Sequence, residues 1–537
     1  MTAAEHVDLT AEDMDGLLAR IKSRDLREAD YETMEALLNT LSLLKEKYEK
    51  GRLHVKRLLK MIFGSKSEKK SKVVAEGDQE EKSGGDEREE VADTDPDESG
   101  NRDKPKGHGR NGADDFEGAQ KHFVKNDGMK PGDPCPDCSG KVYKMKKPGV
   151  LIRFFGQPPV KAAIWELEKF RCNLCGAIFT AEPPEEAKGE KYDETAVAIM
   201  ALSRYGFGMP LNRLENLQGC LQIPLPASTQ WDKVESGADK IYPVFEQLIR
   251  ESAQGKILFN DDTNIKILEL IGQNRTQIDG QRKGMFTTGI VSELDDKKTA
   301  LFFTGREHAG ENIANVLNHR ESRLPPPIQM CDALSRNSSV EPNVILTHCN
   351  AHSRRKFVEV ADSFPDECLH VLNVFEKIYA NDAKAKKAGM SDRRRLEYHR
   401  KHSGPIMSDF HRWMTDKLEN KQVEPNSSLG EAISYTLEHW TELTRFLNTE
   451  GAPLDNNICE RALKKAILHR RNSLFYNTLH GAYIGDMYMS LIHTCNLNGI
   501  NPFKYLTDLQ IHSSELFKNP ADWMPWNYES ALSKAAE

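Results

Sequence analysis

The stretch KILFNDDTNIKIL, residues 256–268, decides how this sequence folds. Ile257, Leu258 and Phe259 form an apolar run that ends in two acids, Asp261 and Asp262. Such a run, rich in β-branched and aromatic residues, reads as a strand. A carboxylate at the end of an apolar strand is costly unless it is paired, hydrogen-bonded or bound to metal. The pattern continues downstream. GMFTTGIV (284–291) and TALFFTG (299–305) read as two more strands, and HAGENIANVLNH (308–319) as a helix. PIQMCDAL (327–334) is a short buried strand that carries Asp332, and NVILTHC (343–349) is a fifth. The order strand, strand, strand, helix, strand predicts a mixed α/β sheet.

A third acid, Glu460, lies in LDNNICERALKKAILHRR (454–471), which has the pattern of a helix. Two readings compete. Asn457 is a good N-cap residue, Glu460 follows it at capping-box spacing, and Lys464 stands one turn on for an ion pair. Alternatively, Asp261, Asp332 and Glu460 make three hard oxygen ligands, which suit Mg²⁺ or Mn²⁺. Two such ions about 3.5–4 Å apart serve phosphodiester chemistry. The residues alone leave both readings open.

The chain has 537 residues, enough for several domains, and a net charge of −8. Residues 76–103 hold thirteen acids against three Lys or Arg. That stretch contributes −10, so the rest is near +2 and is not acidic. Residues 73–128 carry few large apolar side chains and read as a disordered acidic linker. No run of eighteen apolar residues occurs, which argues against a membrane span. The N-terminus lacks the basic-then-apolar order of a secretory signal, and the ten cysteines suit a reducing compartment. A cytoplasmic, nucleoid-associated protein of bacterial type is expected.

Met34, Leu37, Leu41, Leu44, Tyr48, Gly51, Val55, Leu58 and Ile62 recur at steps of three and four. This heptad predicts a coiled coil, weakened at Gly51, and hence self-association. Cys135 and Cys138, with Cys172 and Cys175, form two C-x-x-C knuckles that predict one tetrahedral zinc site in a zinc ribbon. In residues 194–235 a helix, a turn at Gly219 and a second helix capped by Ser228 suggest a helix-turn-helix. Trp231, Trp413 and Trp440 sit in helical patterns as core residues. DRRRLEYHRKH (392–402) is dense in charge and reads as a phosphate-binding or a solvated helix.

Several motifs, in order, give the chain a family resemblance. NDDT (260–263), HCNAHSRRKF (348–357) and LDNNICERALKKAILHRRNSLF (454–475) resemble D-[ED]-T, C-W-A-H-A-R-R-K-F and D-N-N-x-x-E-R-A-L elements of insertion-sequence-66-type transposases, in the DDE superfamily. FGSKSEK (63–69), GHGRNG (107–112), the cysteine pairs and LNGINPFKYL (497–506) match in the same order. The resemblance spans about residues 30–510. It implies an RNase H-like catalytic domain with Asp261, Asp332 and Glu460 as its acids, and so favours the metal-ligand reading of Glu460. Two departures stand out. Ala333 and Leu334 follow Asp332 where the family has Gly-Tyr, and Asp262 stands where it often has Glu.

The expected architecture is therefore multidomain α/β. A helical and coiled-coil region (1–72) and a linker (73–128) precede a zinc ribbon (129–185) and a helix-turn-helix-like region (186–250). An RNase H-like domain (251–490) follows, with a helical insertion at about 360–450, then a helical tail (491–537). Expected cofactors are two catalytic Mg²⁺ or Mn²⁺ ions and a structural Zn²⁺. Expected partners are element-end and target DNA, a second copy of the chain, and accessory proteins of the same element, with no membrane. His352 is expected beside the active site. Arg354, Arg355, Lys356, Arg470 and Arg471 are expected on the DNA backbone. The function implied is metal-dependent strand cleavage and transfer. Its rivals are an inactive, domesticated DNA-binding repressor and a plain nuclease.

Overall fold

Five strands make the central sheet: β3 (Ile257–Asn264), β4 (Phe286–Leu294), β5 (Lys297–Gly305), β6 (Ile328–Cys331) and β7 (Ile345–His348). Their spatial order is β5-β4-β3-β6-β7. The β3–β4 and β4–β5 pairs are antiparallel, whereas β3–β6 and β6–β7 are parallel. The mixed sheet expected from the sequence is present. In this computed structural model the described residues are 157–171, 178–275, 282–338 and 343–535, with 131–133 and scattered positions between 17 and 34. The four knuckle cysteines, the acidic linker and nearly all of the heptad lie outside them.

The chain divides into two units, Met1–Ala92 and Asp93–Glu537. In the first, Arg20 grips the Asp30 carboxylate through Nε and Nη2, at 3.0 and 2.9 Å. In the second, β1 (Lys169–Arg171) pairs antiparallel with β2 (Ile178–Thr180), bracketing the segment that carries Cys172 and Cys175. Just before β1, Ile164 and Trp165 are exposed.

Next come α1 (Glu194–Ala201), α2 (Leu211–Cys220) and α3 (Ala227–Ala253). The helix-turn-helix details expected here need correction. Gly219 lies within α2, and the turn follows at 221–226 with Gln222 at φ +60°. Pro226 precedes α3, so Ser228 is inside the helix and caps nothing. The proline's fixed φ starts a helix without a side-chain cap. Buried Val234, Ala238, Ile241, Phe245, Leu248 and Ser252 repeat at steps of four and three, and this stripe lies on the sheet.

Further helices are α4 (Leu268–Asn274), between β3 and β4 and not anticipated from the sequence, and α5 (Ala309–Leu317). After β7 come α6 (Asn350–Glu359), α7 (Pro365–Lys387), α8 (Asp392–His402), α9 (Gly404–Glu419) and α10 (Ser428–Glu438). The chain then returns through α11 (Asn457–Ser473), α12 (Leu479–Leu497), α13 (Pro502–Ile511) and α14 (Tyr528–Ala535). The helices from α6 to α10 bury a core of their own, with Phe357, Val371, Phe375, Met407, Phe410 and Ile433. Trp413 and Trp440 pack on it, and Trp231 packs on the core over the sheet. Much of the charge of α8 is used internally. Asp382 takes Arg395 at 2.8 Å, His399 at 3.1 Å and, through its other oxygen, Lys386 at 3.1 Å.

The outer edge of β5 carries backbone groups that no strand satisfies, and α12 satisfies them with side chains. Asp486 Oδ2, Ser490 Oγ, Thr494 Oγ1 and Asn498 Oδ1 accept from the amides of Thr304, Phe302, Ala300 and Lys298, at 2.6, 2.9, 3.0 and 3.2 Å. Asn498 Nδ2 also donates to the Lys298 carbonyl at 2.7 Å. Four helical residues rise about 6.0 Å, close to the roughly 6.8 Å of two strand residues, so one rung follows the next. Exposed strand edges invite unwanted pairing, and here a helix closes one.

Candidate active site

Asp261 lies inside β3, not at its end, because the strand continues to Asn264. Its partner across the ladder is Gly289 of β4. Asp332 follows β6 directly, and β6 pairs with β3 in parallel, so the two acids come to the same region of the sheet. One side chain joins them. Asn337 Nδ2 donates to Asp332 Oδ1 at 2.7 Å and to Asp261 Oδ1 at 3.3 Å. The Asn337 carbonyl in turn accepts from Asn260 Nδ2 at 2.7 Å and Gln329 Nε2 at 2.9 Å. The loop carrying Asn337 packs on α5 at Gly310, where an added Cβ would meet the Ser338 carbonyl oxygen at 2.3 Å.

Asp262 points elsewhere, since successive strand side chains alternate faces. His308 Nδ1 lies 3.0 Å from its Oδ2 and Arg336 Nη2 lies 3.6 Å from its Oδ1. The adjacent acids are thereby separated. Asp262 ties β3 to the start of α5, and Asp261 faces Asp332.

Glu460 reaches this place from α11. The helix begins at Asn457 behind Asn456, whose side chain does not cap it, while Asp455 Oδ1 accepts from the Asn457 amide at 3.2 Å. The capping-box reading of Glu460 is therefore incorrect. Asn456 is used differently: its Nδ2 donates to the Asn260 carbonyl at 3.0 Å, one residue before Asp261. Its backbone amide donates to Cys349 Sγ at 3.2 Å. Cys459 Sγ donates to the Gly289 carbonyl at 3.2 Å. Gly289 permits this approach, because a Cβ there would meet Leu463 Cδ2 at 3.0 Å and Cys459 Sγ at 3.6 Å. The start of α11 is thus pinned on β3 and β4 beside Asp261.

The electrostatics follow from that crowding. Burial, then the neighbouring Asp332 and further Asp262 and Glu460, push the Asp261 carboxyl up to about 7. Burial also raises Asp332, against the opposing hydrogen bond from Asn337. Glu460 Oε1 is buried and meets no hydrogen-bond partner. Asp261 and Asp332, joined by Asn337, fit a hard divalent cation held by oxygen ligands, whereas the ligand atoms of all three acids do not lie within 4.8 Å of one another and Glu460 stands nearer Cys349 and His352. His352, on α6, brings Nδ1 to 3.8 Å from Glu460 Oε1. Cys349, His352 and Glu460 form a close group. The thiol is a poor ligand there, because burial pushes Cys349 up to about 12 and its sulfur already accepts from Asn456.

Of the basic residues, Arg354 and Arg355 are exposed on α6, beyond His352. Lys356 lies over the Tyr435 ring at 4.5 Å. Arg470 is turned inward, with Nη1 donating to Thr263 Oγ1 at 3.0 Å and to the Asn264 carbonyl, so it holds α11 to the end of β3. Arg471 is exposed. The sequence reading missed Asn337 and the sulfur and amide clamps around Asn456. A lone loop asparagine carries no spacing signal, whereas Asn456 stood inside a recognised motif and was one position from the residue chosen as cap.

A sheet with these acids at its centre is the setting in which the comparisons with known proteins take meaning. The chain belongs to the IS66 family of transposases, whose sequence model matches residues 189–484. That span contains Asp261, Asp332 and Glu460. The chain is also similar to two proteins of Sinorhizobium fredii (strain NBRC 101917 / NGR234). "Uncharacterized protein y4hP" is 25% identical over 392 residues, covering 68% of this chain and 67% of the relative. "Uncharacterized protein y4jD" is 24% identical over 377 residues, covering 67% and 71%. Among the described residues, no helix is long and apolar enough to cross a membrane.

Proposed function

We propose that this transposase-family chain is catalytically competent, and that an RNase H-like domain centred on β3 performs strand cleavage and strand transfer at Asp261, Asp332 and Glu460. The observation that carries this is the single amide of Asn337 touching both aspartates, with the helix that bears Glu460 pinned on β3 and β4 beside Asp261. Those three carboxylates would hold Mg²⁺ or Mn²⁺, which when bound supplies charge neutralisation and activation of the attacking and leaving oxygens.

The chain's own residues do the positioning. Asn337 orients two carboxylates, Asn456 fixes the helix that carries the third, and exposed Arg354, Arg355 and Arg471 meet phosphates. In cleavage, water attacks phosphorus, a new P–O bond forms and the P–O3′ bond breaks, leaving a 3′-OH on the element end. In transfer, that 3′-OH attacks a target phosphorus and displaces another 3′-oxygen. No covalent bond to the protein is required. The N-terminal region, zinc ribbon and helices α1–α3 would bind element ends, with two copies of the chain joining two ends.

The test mixes purified protein with labelled element-end DNA, a target plasmid and Mg²⁺ or Mn²⁺, beside Glu460→Gln. The expected result is cutting and joining by the wild type and binding alone by the variant. Binding without cutting by both, with accessory proteins supplied, assigns the chain to the repressor reading. Cutting without joining makes it a nuclease.

A further inference from the structure

At the edge strand of the sheet, next to the strand that carries Asp332, stands a second group of ligand-type side chains. His348 closes β7, and His439 and Glu442 come from the segment that follows α10. One ligand atom from each lies within 4.8 Å of the others. The His348 and His439 rings meet edge to face, with centroids 5.0 Å apart at 79°. His348 is 6% exposed, and neither of its ring nitrogens has a hydrogen-bond partner. A buried polar ring without partners is left unsatisfied, which is costly and which a bound ligand would relieve. Burial, then the neighbouring His439, hold this imidazole neutral, the form that ligates metals.

We propose that His348, His439 and Glu442 bind a divalent transition-metal ion, zinc by ligand preference, that ties the helical insertion to the end of β7. Two imidazoles and one carboxylate suit Zn²⁺, whereas the all-oxygen set around Asp261 suits Mg²⁺ or Mn²⁺. The two centres therefore sort their metals by ligand chemistry. Bonds of about 2.1 Å in a tetrahedral set bring ligand atoms to about 3.4 Å of each other, so the group must contract slightly. His439 and Glu442 are half-buried at a helix junction and can rotate inward onto fixed His348. The set leaves a fourth position for water. Its placement matters because His348 pairs in register with Cys331, the residue before Asp332. An ion here fastens the insertion beside the second acid of the candidate active site, yet the proposal stands on its own residues whether or not the chain cuts DNA.

The test uses the full-length chain, stripped with a chelator, reloaded with Zn²⁺ and gel-filtered before metal is counted. Wild type is compared with His439→Gln and with the double variant His439→Gln/Glu442→Gln, each checked for folding by circular dichroism. The expected result is one zinc fewer per chain in the double variant, together with a smaller zinc-induced rise in thermal midpoint. Cys172→Ser should lose a different equivalent, and Glu460→Gln should lose none, which separates this site from the other two. Equal zinc in wild type and a folded double variant overturns the proposal. If the variants misfold, Co²⁺ spectra of the wild type decide. Nitrogen–oxygen ligand-field bands beyond the thiolate set support it, and thiolate bands alone overturn it.

Discussion

Asn337 is the residue on which the geometry of the two aspartates depends. Its amide nitrogen is shared between Asp261 and Asp332, while its carbonyl is held separately by Asn260 and Gln329. Asn337→Ala removes the first set of bonds and leaves the second. The half-saturating Mg²⁺ concentration for cleavage should rise about 10–100-fold, the usual effect of losing a group that orients metal ligands. The thermal midpoint should change little. Gly289 is the second such position. Gly289→Ala places a methyl group against Leu463 and Cys459, and overpacking of this kind costs about 1–3 kcal/mol. Cleavage should fall sharply while DNA binding persists, because α11 and Glu460 are pushed off β3. A filter-binding assay beside the strand-transfer assay separates the two effects. At this scale Asp261 and Glu460 were proposed from family motifs and Asp332 from its place on an apolar strand, and Asp262 was distinguished from Asp261 only by the alternation of a strand that runs through both. Asn337 was not legible, because its role depends on a loop folding back across the sheet.

Among the elements, the helix α12 shows what a periodicity search overlooks. Asp486, Ser490, Thr494 and Asn498 stand four residues apart in a helix that is otherwise apolar nearly all round. That period was present in the sequence, but it reads as chance polarity until a strand edge lies beside it. Asp486 is the exceptional rung, since burial pushes its carboxyl up to about 7 against the Thr304 hydrogen bonds. Its folded pKa is thus above the unfolded value. Between about pH 4 and 7 the folded chain holds a proton that the unfolded chain has lost, so this group lowers stability as pH rises through that window. Above about pH 7 the loss is complete, at a few kcal/mol. Asp486→Asn keeps an acceptor for Thr304 and removes the charge. The variant should melt higher than wild type at pH 8 and show a flatter midpoint between pH 4 and 7. A steeper profile in the variant would contradict the assignment. The strand assignments themselves were legible because apolar runs announce themselves. The missed helix α4 and the misplaced turn before α3 were hidden by short length and by a proline start.

For the whole molecule, DNA binding should be governed by phosphate neutralisation. The logarithm of affinity should fall linearly with the logarithm of salt concentration. Arg354→Ala and Arg355→Ala should each reduce that slope by about one without altering sequence preference. An unchanged slope in the double variant would leave these exposed side chains as merely solvated. At this scale the mixed sheet was legible, whereas the knuckle cysteines and nearly all of the heptad lie outside the described residues. The second core, formed by the helices between β7 and α11, was foreseen only as an insertion, because its packing partners are distant helices of similar pattern.

The closure of β5 by α12 also acts as a vernier. Helix and strand advance by about 6.0 and 6.8 Å per rung, so the scales drift by roughly 2 Å over the three steps between Asp486 and Asn498. A fifth rung would fall out of reach of a hydrogen bond. The length of strand that one straight helix can shield is therefore bounded at about four rungs, and β5 cannot be lengthened without laying bare an adhesive margin. Any assembly of two chains on paired DNA ends must then be built from surfaces other than this border of the sheet.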